Sequence, residues 1–183
     1  MKIIVGVTGS SGAIYALDFL KKSQSEKFLV VSKWGKVLLK DELGMNDTDL
    51  LPFVKKQFDD KDLTAPIASG SNHFDAYVIL PCSTSTLGKI ASGIGDTLIT
   101  RTAQVALKER YKLILCIRET PMSTLALEQA AKVSSYGAIV MPISPPMYFV
   151  PQTVDEYIGA FTDKLLGVLG EKRSRGWRAE ELE

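Results

Sequence analysis

The chain opens with an apolar run that breaks at a Gly/Ser turn and then becomes helical, and few folds accommodate that order. Ile3, Ile4, Val5 and Val7 read as a short strand buried on both faces, the kind found in parallel sheets. In the turn Thr8-Gly9-Ser10-Ser11-Gly12-Ala13, the glycines allow a sharp change of direction and a close approach to a ligand. The helix that follows carries Ala13, Leu17 and Leu20 on one face. It would aim its unpaired N–H groups, and about half a positive charge, at the turn. That end suits an anion, a phosphate before others. The turn lacks the third glycine of a dinucleotide fingerprint and the Gly-Lys-Ser/Thr of a P-loop, so the same residues also suit a tight turn without a ligand.

The rest of the chain repeats the alternation, which predicts an α/β fold: a three-layer sandwich, Rossmann-like or flavodoxin-like, around a central mostly parallel sheet. Further strands are expected at 28–32, 76–80, 112–117 and 138–143. Helices are expected at 33–43, 47–58, 96–110 and 125–133, with a last one that opens on the capping box Thr153/Glu156 and ends at Gly170. Residues 59–72, with Pro66 and the run Ala68-Ser69-Gly70-Ser71, form the most loop-like segment. With no repeat or linker, residues 1–183 read as one domain, a core of 1–170 followed by a charged tail from 171.

Composition removes several classes of function. A net charge of +1 gives no electrostatic case for nucleic acid or a membrane surface, and no apolar run reaches the length of a membrane span. Cys82 and Cys116, each in or beside an apolar strand, imply no disulfide framework and point to a reducing, intracellular setting. The one histidine, His73, has only Asp75 nearby as a possible co-ligand, so no metal site is expected.

Polar residues gather where open α/β sheets bind ligands, at the carboxyl ends of strands. Ser32 ends the second strand, and Ser83-Thr84-Ser85-Thr86 follows the third; four hydroxyls in a row can cap a helix and also donate to a polar ligand. Arg118 and Glu119 stand at the end of the fourth strand, a costly place for two charges without a task. Arg101 and Lys108 lie two turns apart on one helical side, a spacing equally suited to a solvated face. Residues 144–151 make a proline-framed loop around Tyr148.

In this order the turn at 8–13, Ala65-Pro66-Ile67-Ala68-Ser69-Gly70-Ser71, Pro81-Cys82-Ser83-Thr84, Ala106-Leu107-Lys108-Glu109-Arg110, Arg118-Glu119-Thr120-Pro121 and the Tyr148 loop resemble the UbiX-type flavin prenyltransferases, from Lys2 to about Gly170. The resemblance implies a cytoplasmic homo-oligomer, commonly a dodecamer, in which reduced FMN is alkylated by dimethylallyl phosphate at N5 and ring-closed at C6. No metal takes part, and the prenylated FMN goes to a UbiD-type decarboxylase. It further implies that Gly9, Ser10, Ser11, Ser32, Ser83, Thr84, Ser85, Thr86 and Arg101 bind FMN. By the same resemblance Lys108, Arg118, Tyr148 and Lys164 hold the allylic phosphate, and Ser11, Glu42 and Glu119 form the acid/base and proton-relay set.

Two positions depart from the family's pattern. Lys164 stands where many members have arginine, which keeps the charge and gives up the bidentate grip, and Leu63 stands where several carry an aromatic residue near the flavin. Trp177 resembles a tail tryptophan able to close the site and would serve equally as an oligomer contact. Two other classes are weighed. One is an FMN-dependent cysteine decarboxylase, whose histidine near the first helix and Asn-rich substrate motifs this chain lacks. The other is a non-catalytic flavin-binding protein, which leaves Lys108, Arg118 and Glu119 unexplained.

Overall fold

The computed structural model describes residues 1–171 and 178; Trp177 lies outside the described residues. Six parallel strands form one sheet in the order β3-β2-β1-β4-β5-β6. The strands are β1 (Lys2–Val7), β2 (Glu26–Val31), β3 (Lys56–Asp59), β4 (Ala76–Cys82), β5 (Lys112–Ile117) and β6 (Ile139–Val140). Between and after them run α1 (Ala13–Lys22), α2 (Lys33–Leu43), α3 (Thr84–Ala91), α4 (Leu98–Glu109), α5 (Thr124–Ser135) and α6 (Val154–Leu169).

Side-chain alternation along β1 divides the interior into two cores. Ile3, Val5 and Val7 pack with α1, α2 and α6, while Ile4 packs with Tyr77, Ile79 and the α3–α5 layer. This is the expected three-layer sandwich. Full burial of each of these branched side chains stabilises the fold by about 1.5–3 kcal/mol. Gly6 lies on the second face, where a Cβ would stand 2.7 Å from the Tyr77 hydroxyl. The missing side chain lets the buried Tyr77 donate to the Ile99 carbonyl at 3.1 Å, tying β4 to the start of α4.

Two expected elements differ. Residues 47–58 are a 3₁₀ segment at Asp47–Phe53 followed by β3, which pairs Phe28 with Lys56 through Val31 with Asp59. Pro52 has no N–H to donate to an i−4 carbonyl, so the segment stays a short 3₁₀ turn that ends at Phe53, and the apolar spacing that mimics a helix ends in a buried strand residue, Phe58. The last strand is confined to Ile139–Val140, with single bonds from Met141 N–H to Leu115 O (2.9 Å) and from Ile143 N–H to Ile117 O (2.8 Å). Pro142 between them donates nothing.

Strand β1 leads to β2 and β3 on one side and neighbours β4 and β5 on the other, so the sheet has its switch point between β1 and β4. The connections leave the carboxyl ends there in opposite directions and open a crevice. Both cysteines are free and buried. Burial pushes the Cys82 thiol up to about 12, which leaves it without thiolate character near neutral pH. Among the described residues no helix is long and apolar enough to cross a membrane.

Candidate active site

The crevice is a cleft of about 280 Å³ whose lining includes Gly9, Ser32, Trp34, Asp60, Ser83, Ser85, Thr86 and Thr97. Its floor is welded at the switch point. Thr8 donates its hydroxyl to Pro81 O at 2.8 Å and accepts the Ser83 N–H at 2.9 Å, while Ser32 N–H donates to Val7 O at 2.9 Å. Close approach requires small residues here. A Cβ on Gly9 would collide with the Trp34 Cβ, and one on Gly35 would lie 2.5 Å from Val7 O.

Three helices begin on this cleft, each capped by a hydroxyl. Ser32 accepts Gly35 N–H at 3.0 Å for α2, Ser83 accepts Thr86 N–H at 3.2 Å for α3, and Thr97 accepts Thr100 N–H at 3.3 Å for α4. A capping hydroxyl spends a lone pair and keeps its proton to donate; Thr97 bonds to Asp60 in this way, and Ser83 and Thr86 share a hydroxyl bond of 3.0 Å. The cleft therefore offers O–H donors, three positive helix ends and the ammonium groups of Lys33 and Lys89. Lys89 is held by Asp96 at 2.7 Å. The one carboxyl among the described lining residues, Asp60, accepts Ile99 N–H at 2.9 Å. Burial raises its pKa, partly offset by bonds from Ile99 N–H and the Thr97 side chain, while Asp59 and Asp96 push it further up.

The amino end of α1 is arranged differently from the expectation of a bound phosphate. The Glu42 carboxylate, from α2, accepts Gly12 N–H at 2.9 and 3.1 Å and Ala13 N–H at 2.8 Å. The anion at α1 is thus the protein's own, since Gly44 ends α2 just beyond Glu42 and α2 runs beside α1. Ser10 is likewise engaged, donating to Arg118 O at 2.6 Å.

A second locus adjoins this turn. The Arg118 side chain passes within 3.9 Å of a Cβ on Gly12, and its charge acts on the Tyr15 hydroxyl, whose pKa burial and Tyr157 nevertheless raise. Glu119 is exposed beside it, accepting its neighbour's Thr120 N–H at 3.1 Å, and Ser11 is exposed across the turn.

Of the residues expected from sequence, the cleft brings together Gly9, Ser32, Ser83, Ser85 and Thr86, and the second locus Ser10, Ser11, Arg118 and Glu119. Thr84 starts α3 outside the cleft lining, and Arg101 turns its Nε to Ala68 O at 3.1 Å. Lys108 stands about 15 Å along α4 from Leu98. There it pairs with Glu109 and lines a separate groove with Arg110, Lys132 and Tyr136, away from the cleft of its own chain. Tyr148, against the Phe149 ring, and Lys164 on α6 are both exposed. Sequence reasoning missed Thr8, Lys33, Trp34, Asp60, Lys89, Thr97 and Thr100. The spacing of Thr97 and Thr100 is a readable cap; Asp60 falls in the loop-like segment 59–72, and the strand that places it in the cleft has the apolar spacing of a helix. Among the described residues no group of three or more His, Cys, Asp or Glu could hold a metal ion.

The model of the Flavoprotein family matches residues 1–164. A flavin prenyltransferase UbiX from Thermoplasma acidophilum is 42% identical over 171 residues, covering 93% of this chain and 95% of that one. The crystal structure of AnUbiX in complex with FMN and dimethylallyl pyrophosphate superimposes with a TM-score of 0.91 at 32% identity, over 97% of this chain and 98% of that one. A dodecameric FMN-dependent UbiX-like decarboxylase from Escherichia coli O157:H7 does so at 0.92 and 35%, over 97% and 99%.

Proposed function

The chain belongs to the UbiX flavin prenyltransferase family of flavoproteins, and on that premise we propose that it works as one flavoprotein domain, residues 1–183, that transfers a dimethylallyl group from dimethylallyl phosphate to N5 and C6 of reduced FMN. Its product, prenylated FMN, is delivered to a UbiD-type decarboxylase. The carrying observation is a pair of adjacent polar sites: a hydroxyl-capped cleft with three helix amino ends, and beside it the cation and carboxylate of Arg118 and Glu119. Two phosphorylated partners held side by side need such a pair.

The donors of the cleft fit FMN. Its hydroxyls and helix ends match a ribityl phosphate, which is both anionic and rich in hydrogen-bonding groups. Reduced FMN supplies the nucleophilic ring positions. The chain's own work lies with the donor: an allylic phosphate ionises, and charge builds on the leaving phosphate. Arg118 takes up that charge with a planar fork, assisted in this reading by Lys108, Lys164 and the Tyr148 hydroxyl. Glu119 and Ser11 move the proton at the donor, and Glu42 orients the turn that carries Ser11 through its bonds to Gly12 and Ala13. Gly9, Ser10, Ser32, Ser83, Thr84, Ser85, Thr86 and Arg101 complete the FMN shell.

Lys108, Tyr148 and Lys164 are exposed. In this reading a homo-oligomer, twelve copies as in the Escherichia coli neighbour, brings them to the sites of adjacent copies. The test is stoichiometric: under anaerobic conditions, phosphate should be released from dimethylallyl phosphate only when reduced FMN is present, one for each flavin consumed. Release that ignores the flavin would contradict the proposal.

A further inference from the structure

The polar cleft holds one aromatic side chain among its described lining residues, Trp34. The residue is 62% exposed although it is the largest side chain there. Its position is tightly determined. Ser32 caps the helix two residues before it, Gly9 and Gly35 leave no room for a Cβ of their own beside Trp34 Cβ and Val7 O, and the Lys33 ammonium lies 5.5 Å from the indole centre. An indole fixed at its backbone, largely exposed apart from the Lys33 ammonium over its ring and placed among hydroxyls is a platform for a flat ring. Leu63, where the family resemblance led to expecting an aromatic residue beside the flavin, is exposed and outside the cleft lining.

We propose that Trp34 is a positioning residue of the flavin cleft, stacking on the isoalloxazine ring and supplying from the end of β2 the aromatic contact that Leu63 does not provide. This rests on the FMN reading of the cleft. Stacking on a heteroaromatic ring is worth enough that Trp34→Leu should weaken FMN binding about tenfold. Trp34→Phe keeps a ring and should bind within about threefold of the original protein.

The test uses the full-length protein saturated with oxidised FMN and reads the flavin's own fluorescence lifetime. An indole in face contact quenches the excited flavin by electron transfer, so the bound flavin should be short-lived in the original protein. It should become severalfold longer-lived in both Trp34→Leu and Trp34→Phe, with affinity lost in the first only. A role as an oligomer contact would move the assembly mass of the variants and leave the flavin lifetime alone, which would overturn the inference. An unchanged lifetime with FMN bound at the original affinity would overturn it as well. Failure of the original protein to bind FMN at all would overturn the reading of the cleft together with the inference. The Phe variant keeps the test valid if the Leu variant does not fold.

Discussion

At the scale of single residues, the two acids Glu119 and Asp60 differ in what their oxygens touch. Glu119 has a carboxylate open to solvent beside Arg118, as proton transfer at a leaving phosphate requires. Glu119→Gln should keep FMN bound and lower prenyl transfer by about 10²–10⁴-fold, the usual weight of one general acid/base, in an anaerobic turnover assay. Normal turnover would remove Glu119 from the mechanism. Asp60 is the opposite case, a half-buried carboxyl whose folded pKa is raised, chiefly by burial. The folded state then holds its proton to higher pH than the unfolded chain does. Its ionisation therefore lowers stability as pH rises from the ordinary aspartate range through the raised value. Asp60→Asn keeps an acceptor for Ile99 N–H and should flatten the melting-temperature profile across that window. An unchanged slope would contradict the assignment. Neither role could be read from residue type, because what separates them is the burial of one and the exposure of the other.

At the scale of elements, the amino ends of four helices organise the molecule, and they fall into two kinds. Helices α2, α3 and α4 begin at hydroxyl caps, whereas α1 is closed by the Glu42 carboxylate. The turn at 8–13 announced a helix end suited to an anion, and that much was legible. That the anion is Glu42, 29 residues beyond Ala13, depended on α2 lying beside α1, which periodicity does not reveal. The hydroxyl rows were legible because Ser83 and Thr153 sit directly before apolar periodic runs. Strand β3 was not, because residues 50, 51, 54 and 58 satisfy a helical period and only Pro52 argues against it. If Glu42 closes α1, Glu42→Ala should cost about 0.5–2 kcal/mol, the range of a lost cap, in chemical denaturation. A stability within error of the original protein would show that the carboxylate is dispensable there.

At the scale of the whole molecule, the fold of one chain keeps Lys108 and Arg118, which the proposed function assigns to one site, apart. Lys108 lies at the far end of α4, and Arg118 at the carboxyl end of β5. The sequence resemblance grouped them, and nothing in residue order could show that a single chain separates them. If neighbouring copies supply Lys108, Lys108→Ala and Arg118→Ala should each be nearly inactive alone. When the two are unfolded, mixed equally and reassembled, about a quarter of sites should regain both side chains in a symmetric oligomer. No recovery on mixing would place both residues in one chain's site. Prenyl transfer is read out by anaerobic incubation of the purified protein with reduced FMN and dimethylallyl phosphate, followed by mass analysis of the released flavin. The flavin should be heavier by one five-carbon unit, formed in step with free phosphate; FMN recovered unmodified at full occupancy of both sites would contradict prenyl transfer by this protein.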